Sequence, residues 1–261
     1  MTGAREERFT VQGVAAVEAR LASGSLRLVE GDSDAVVVHV DGPEVERFRI
    51  EQRGSAIVLE AMRGEVGRWR SYDVTVRLPA SSTLSARLAT ADLAAEVLLA
   101  DVEADVASGH VRLDEVTGDV RVKSASGDVR GGRIGGALRL STASGDVDVV
   151  GVRGDVKLHT ASGDVRIGTV GGSLAIRTAS GDVRIGCYEG TDLSCLSMSG
   201  DLEVGVPSGR SLHVDLETLS GSIRNDFEVG PASGERPWTH ANVRTRSVSG
   251  DVALFRAPQG G

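Results

Sequence analysis

Apolar side chains recur at every second position over short stretches of the chain, as in Val120/Val122, Leu138/Leu140, Val147/Val149, Val156/Leu158, Val165/Ile167, Leu174/Ile176 and Val183/Ile185. The intervening positions are polar or charged, among them Arg121, Arg139, Asp148, Lys157, Arg166 and Arg184. A period of two predicts strands with one face buried and the other in water. Between the stretches lie segments rich in Gly, Ser, Thr and Asp, residues that supply positive φ or bond their own backbone, so they predict turns. A unit this short and punctuated by glycine cannot sustain a helical apolar stripe.

The alternation sits inside a repeat. Ser-Gly-Asp-Val or a near variant starts at Ser108, Ser126, Ser144, Ser162 and Ser180, 18 residues apart each time. It continues at looser spacing at Ser199, Ser220 and Ser249, and begins degenerately at Thr90-Ala91-Asp92-Leu93. A weaker motif falls nine residues after the first, at Thr117-Gly118-Asp119-Val120, Gly135-Gly136-Ala137-Leu138, Arg153-Gly154-Asp155-Val156 and Gly171-Gly172-Ser173-Leu174. An antiparallel meander and a solenoid can both use a nine-residue strand-turn unit. Only the solenoid explains a strict repeat at 18, because equivalent residues then stack about 4.8 Å apart on neighbouring coils. The expected fold is all-β: a parallel β-solenoid with two main strands and about 18 residues per coil in the central part.

A single domain over 1–261 is expected, with irregular N-terminal coils and a cap over 8–85, regular coils over 86–225, and a loop and C-terminal coil over 226–261. The first part alternates in the same way at Leu26/Leu28, Val36/Val38/Val40, Ile57/Leu59 and Val74/Val76/Leu78, and Pro79 ends that stretch. Atypical terminal repeats commonly close a stack. Near the other end, two prolines and a tryptophan in 228–242 predict a protruding loop before a last coil at Val243 to Phe255.

Composition narrows the function. The chain has 261 residues, 40% hydrophobic, with 2 Trp, 2 Tyr and 4 Phe, so its core must be aliphatic. A formal charge of -8 opposes binding to a phosphate backbone, and nucleic acid is excluded as an expected partner. Cys187 and Cys195 do not make a disulfide framework, which predicts free thiols in a reducing, cytoplasmic setting. The charged N-terminus and the lack of a long apolar run predict neither export nor a membrane span.

The Ser-Gly-Asp-Val run, the Val76-Arg77-Leu78-Pro79-Ala80 segment before it, and the N-terminal strands together resemble the bacterial toast-rack family of β-strand-repeat domains, also named putative adhesins. The resemblance spans nearly the whole chain. It implies a right-handed β-helix-like fold and no established enzymatic activity.

Candidate chemistry is sparse. Gly127-Asp128, Gly145-Asp146, Gly163-Asp164, Gly181-Asp182 and Gly200-Asp201 form a turn ladder, with Asp119 and Asp155 on the other side. Regular carboxylates invite calcium, but one Gly and one Asp per turn supply few hard oxygen ligands. The alternative is that Asp bonds turn amides, with repulsion offset by Arg130, Arg166 and Arg184 two residues on. Thr142, Thr160 and Thr178 start Thr-Ala-Ser triplets that suit a tight corner better than a flat hydroxyl array. His39, His110, His159, His213 and His240 fall at unrelated spacings, His159 at an outward strand position, and no nucleophile or phosphate-loop motif is present. No catalytic residue, cofactor or metal site is expected. The expected role is a noncatalytic scaffold for protein–protein interaction or self-assembly, with Arg236 and Trp238 as candidate partner-binding residues. The alternatives are a calcium-dependent or surface adhesin module and, less favoured, a carbohydrate-active β-helix enzyme.

Overall fold

The period-two pattern becomes strand throughout a computed structural model that describes residues 2–61, 70–208, 211–227 and 240–257. Its contacts group the chain into two units, 1–135 and 136–261.

The first unit contains β1 (Thr2–Thr10), β2 (Ala16–Glu30), β3 (Ala35–Pro43), β4 (Phe48–Arg53), β5 (Ala56–Ala61), β6 (Ser71–Leu78), β7 (Ser82–Ala95), β8 (Leu99–Ser108), β9 (Val111–Val116), β10 (Val120–Ser126) and β11 (Val129–Ile134). Its beginning is a mixed sheet, with β1–β3, β3–β6 and β4–β5 antiparallel. Local links explain the departure from parallel coils. Only Gly54-Ser55 separates β4 from β5, and Gly54 takes a φ of 63°, so this is a tight hairpin that cannot join parallel strands. The long β2 then lies parallel to β6 and β7. Regular stacking follows, with Val120 beside Val102 and Val129 beside Val111. Phe48 and Tyr72, both fully buried, pack with ring centroids 5.0 Å apart.

The second unit is a parallel β-solenoid of paired strands: β12 (Leu138–Ser144) with β13 (Val147–Val152), β14 (Val156–Ser162) with β15 (Val165–Val170), β16 (Leu174–Ser180) with β17 (Val183–Tyr188), β18 (Asp192–Ser199) with β19 (Leu202–Val206), β20 (Ser211–Ser220) with β21 (Ile223–Asn225), and β22 (His240–Ser249) with β23 (Val252–Arg256). Inward residues stack in two ladders. One runs Leu138, Val156, Leu174, Leu193, Val243 and Val214. The other runs Val147, Val165, Val183, Leu202, Val252 and Ile223.

Those ladders correct the expected order at the C-terminal end. The final coil in sequence begins at His240, before Val243, and is not last in space: β22 lies between β18 and β20. The coil carrying β20 and β21 is therefore outermost among the described residues. Burial agrees. Ala241 and Val243 on β22 are buried, whereas Leu212, Val214 and Leu216 on β20 are only half-buried and Ile223 on β21 is exposed.

Coils that repeat at 18 residues should be removable one at a time, because stability in a stack is roughly a sum of coil and neighbour contributions. Deleting residues 146–163 joins Gly145 to Asp164 and lets β12 meet β16 in the register that β14 now offers to both. We expect a cooperatively melting chain with β-type circular dichroism. An unfolded deletion product would refute modular stacking.

Candidate functional site

Each central coil turns its corner with the same few residues. Gly127, Gly145, Gly163, Gly181 and Gly200 adopt φ between 110° and 121°. The Asp that follows bonds along the stack, to the amide one coil on, not within its own turn: Asp146 Oδ1 accepts the Asp164 N–H, Asp164 Oδ1 that of Asp182, Asp182 Oδ1 that of Asp201, and Asp201 Oδ1 that of Asp251. His110 takes the same role, its Nδ1 accepting the Asp128 N–H at 3.2 Å. On the other side Asp155 accepts from the Ser173 N–H at 2.8 Å. These carboxylates thus have an oxygen committed to backbone donors that the corner would otherwise leave unmet. Arg130 and Arg166 lie 3.7 and 2.8 Å from Asp128 and Asp164, but Arg184 instead meets Glu203 of the next coil at 3.2 Å. Among the described residues no three His, Cys, Asp or Glu side chains are placed to hold a metal ion.

The Thr-Ala-Ser triplets close the corner from within. Thr142, Thr160 and Thr178 point inward and donate to the carbonyls of Ser144, Ser162 and Ser180 at 3.0–3.1 Å. The central alanine, at 143, 161 and 179, consequently faces outward. Three neighbouring strands break this economy of size. At the equivalent position β18 has Met198, β22 has Val248 and β20 has Leu219, and the flanking serines and threonine are in register across all three. Met198 is 61%, Val248 46% and Leu219 84% exposed, and Leu196 on the same face of β18 is 46% exposed. Adjacent strands lie about 4.8 Å apart, so these side chains form one continuous apolar row. Scattered surface apolar residues are ordinary, whereas a contiguous group is a candidate interaction surface. Periodicity does not single the row out, since the strand pattern is unchanged there. The signal in the sequence is the replacement of alanine between two small hydroxyl residues by Met198 and Val248.

At the other ends of the same strands lies a groove of about 640 Å³. Small outward residues, Ala175 and Ser194, form its floor; Arg139 and Lys157 stand on one side, and Asp215 and Arg244, 3.4 Å apart, on the other. Asp192 within it accepts 3.0 Å hydrogen bonds from Asn242 Nδ2 and Thr191 Oγ1, which hold its carboxyl below the usual range. A general acid needs the opposite shift. Nearby, half-buried His159 is pushed down by desolvation, then by Lys157 and Arg177, so it favours the neutral form. The groove is thus lined by charged and amide side chains over a floor of small residues. Arg236 and Trp238 lie outside the described residues.

Solved structures resemble the chain over nearly their whole length. A putative adhesin from Parabacteroides distasonis is 14% identical with a TM-score of 0.47, each chain covered to 97%. A putative adhesin from Parabacteroides merdae is 11% identical with a TM-score of 0.46, covering 97% of this chain and 96% of that one. A putative lipid binding protein from Parabacteroides distasonis is 11% identical with a TM-score of 0.44, again at 97% coverage of both. No curated protein matches the chain. The match that decides kinship is to the family model described as Toastrack DUF4097, which takes in residues 25–255 and with them the corner ladder and the apolar row, and the chain belongs to that family.

Proposed function

We propose that this protein is a noncatalytic β-solenoid scaffold whose exposed apolar row docks a protein partner. The row formed by Leu196, Met198, Val248 and Leu219 carries this proposal. It lies on a hydrogen-bonded sheet that fixes its geometry in advance, so docking would not have to order it. Within the row, unlike in the groove, no ion pairs need to be broken: Arg246 and Glu217 meet 3.0 Å apart beside it. The same proposal places the chain in a reducing, cytoplasmic compartment. Cys195 supports that setting as a thiol, fully buried and with its pKa pushed up to about 12 by desolvation.

A photo-crosslinking amino acid at position 198, used in lysate of the source cells, tests the docking role. We expect a discrete adduct with a protein identifiable by mass spectrometry, lost when Leu219→Glu is added, and none from the same probe at position 166. No adduct at 198, or equal capture from 166, would overturn the proposal.

A further inference from the structure

β20 is the outermost strand of its sheet among the described residues, pairing with β22 on one side. Such edges invite further pairing, and proteins usually blunt them with lysine, proline or brevity. β20 has ten residues and neither lysine nor proline. Its backbone orientation follows from its neighbours. The Asn242 N–H donates to the Thr191 carbonyl, so residue 242 faces β18 and, by alternation, Val243 faces β20. Val243 is opposite Val214 and so bonds the flanking residues His213 and Asp215. Leu212, Val214 and Leu216 therefore turn their N–H and C=O groups to the open side. These are also the inward side chains left half-buried.

The sequence of this edge is self-complementary. Leu212-His213-Val214-Asp215-Leu216 reads apolar, basic, apolar, acidic, apolar, so reversing the strand keeps every apolar position and exchanges the basic one for the acidic one. We propose that two copies of this chain pair antiparallel through β20 about a two-fold axis at Val214. That register sets Val214 opposite Val214 and Leu212 opposite Leu216 of the second copy, each facing pair exchanging two backbone hydrogen bonds. His213 then lies opposite Asp215 in both halves, at the non-hydrogen-bonded positions where side chains approach most closely. A His ring N–H donates to the carboxylate, which also meets Arg244 at 3.4 Å within its own chain. Shifting the register by one step on the same face sets Asp215 against itself in one direction and His213 against itself in the other, so within 212–216 only the alignment at Val214 gives each charged position its complement. The leucines and valine continue the inward ladder from one copy into the next, covering the apolar surface that the last coil leaves half-exposed.

This inference names the partner for the self-assembly side of the scaffold role; it uses the open backbone edge of β20 at 212–216, whereas the Met198 row takes from that strand only the outward side chain of Leu219. Sedimentation of the native chain should show a concentration-dependent species of twice the 27.1 kDa protomer. His213→Asp, at an exposed position, should weaken association at least tenfold without changing the melting temperature, and His213→Asp with Asp215→His should restore it. As a readout independent of charge, Val214→Cys should give a disulfide-linked dimer on mild oxidation, because a hydrogen-bonded antiparallel pair sets Cα atoms about 5.5 Å apart; Glu217→Cys should not. A native chain that stays monomeric, a dimer indifferent to His213→Asp, or equal crosslinking from 214 and 217 would overturn the inference. A monomeric native chain would leave the Met198 adduct untouched, and loss of that adduct would leave the β20 dimer untouched, so the two proposals fail separately.

Discussion

Val165→Asp destabilises the chain by about 3–5 kcal/mol, the range for an uncompensated buried charge, and Arg166→Ala by about 0.5 kcal/mol or less. Val165 is fully buried and stacks between Val147 and Val183, so its ladder offers an introduced carboxylate only aliphatic neighbours in line. The group must ionise unpaired, take up a proton, or pull its coil open. Arg166, one residue away, points into water and pairs with Asp164 at 2.8 Å, with side-chain exposures of 53% and 34%. Surface pairs of that kind contribute little. Urea denaturation of the two variants beside the parent chain checks the contrast, and similar small losses would mean the strand phase is wrong.

Gly163→Ala costs less than that charge but more than its one added methyl suggests. Gly163 takes a φ of 118°, and a Cβ built there falls 2.2 Å from the Gly145 carbonyl oxygen and 2.7 Å from its carbon. Backbone strain alone is worth about 1–3 kcal/mol. The close approach adds to it, because backbone on the neighbouring coil cannot swing aside as a flexible side chain would. Gly13 separates the two contributions: its φ is 81° but its Cβ would meet nothing within 4 Å. Gly163→Ala should therefore lower the denaturation midpoint clearly more than Gly13→Ala. Equal losses would show that conformation, not coil spacing, selects glycine at the corner.

The solenoid was legible because one physical requirement writes itself twice into each coil. Stacking at a fixed spacing demands the same small corner every 18 residues, and burial on one face demands the alternation of Val165 and Ile167 around Arg166. Where the requirement is local the sequence states it outright, as at Pro79. The antiparallel pairing of β1 with β3 and the position of β22 between β18 and β20 depend on which distant strand reaches an edge, and alternation is the same for every candidate neighbour. The route of the aspartate bonds was hidden for a similar reason: an Asp after Ser-Gly satisfies a turn amide and a stacking amide equally well on paper, and only coil spacing shows that it is the next Asp that donates. The apolar row was missed because size, not polarity pattern, distinguishes Met198 from Ala179.

The position of β22 also bears on how the chain is made. Synthesis delivers 211–225 before 240–256, yet the second segment occupies the edge of β18 and β19 that the first meets on emergence. Both segments carry the Ser-Gly corner and an apolar alternation that fit that edge. A nascent chain can therefore add its coils one by one only as far as Val206. Beyond that point the earlier segment must either wait unpaired or be displaced after a premature docking, so the end of this otherwise sequential molecule is completed by a contest between two of its own strands.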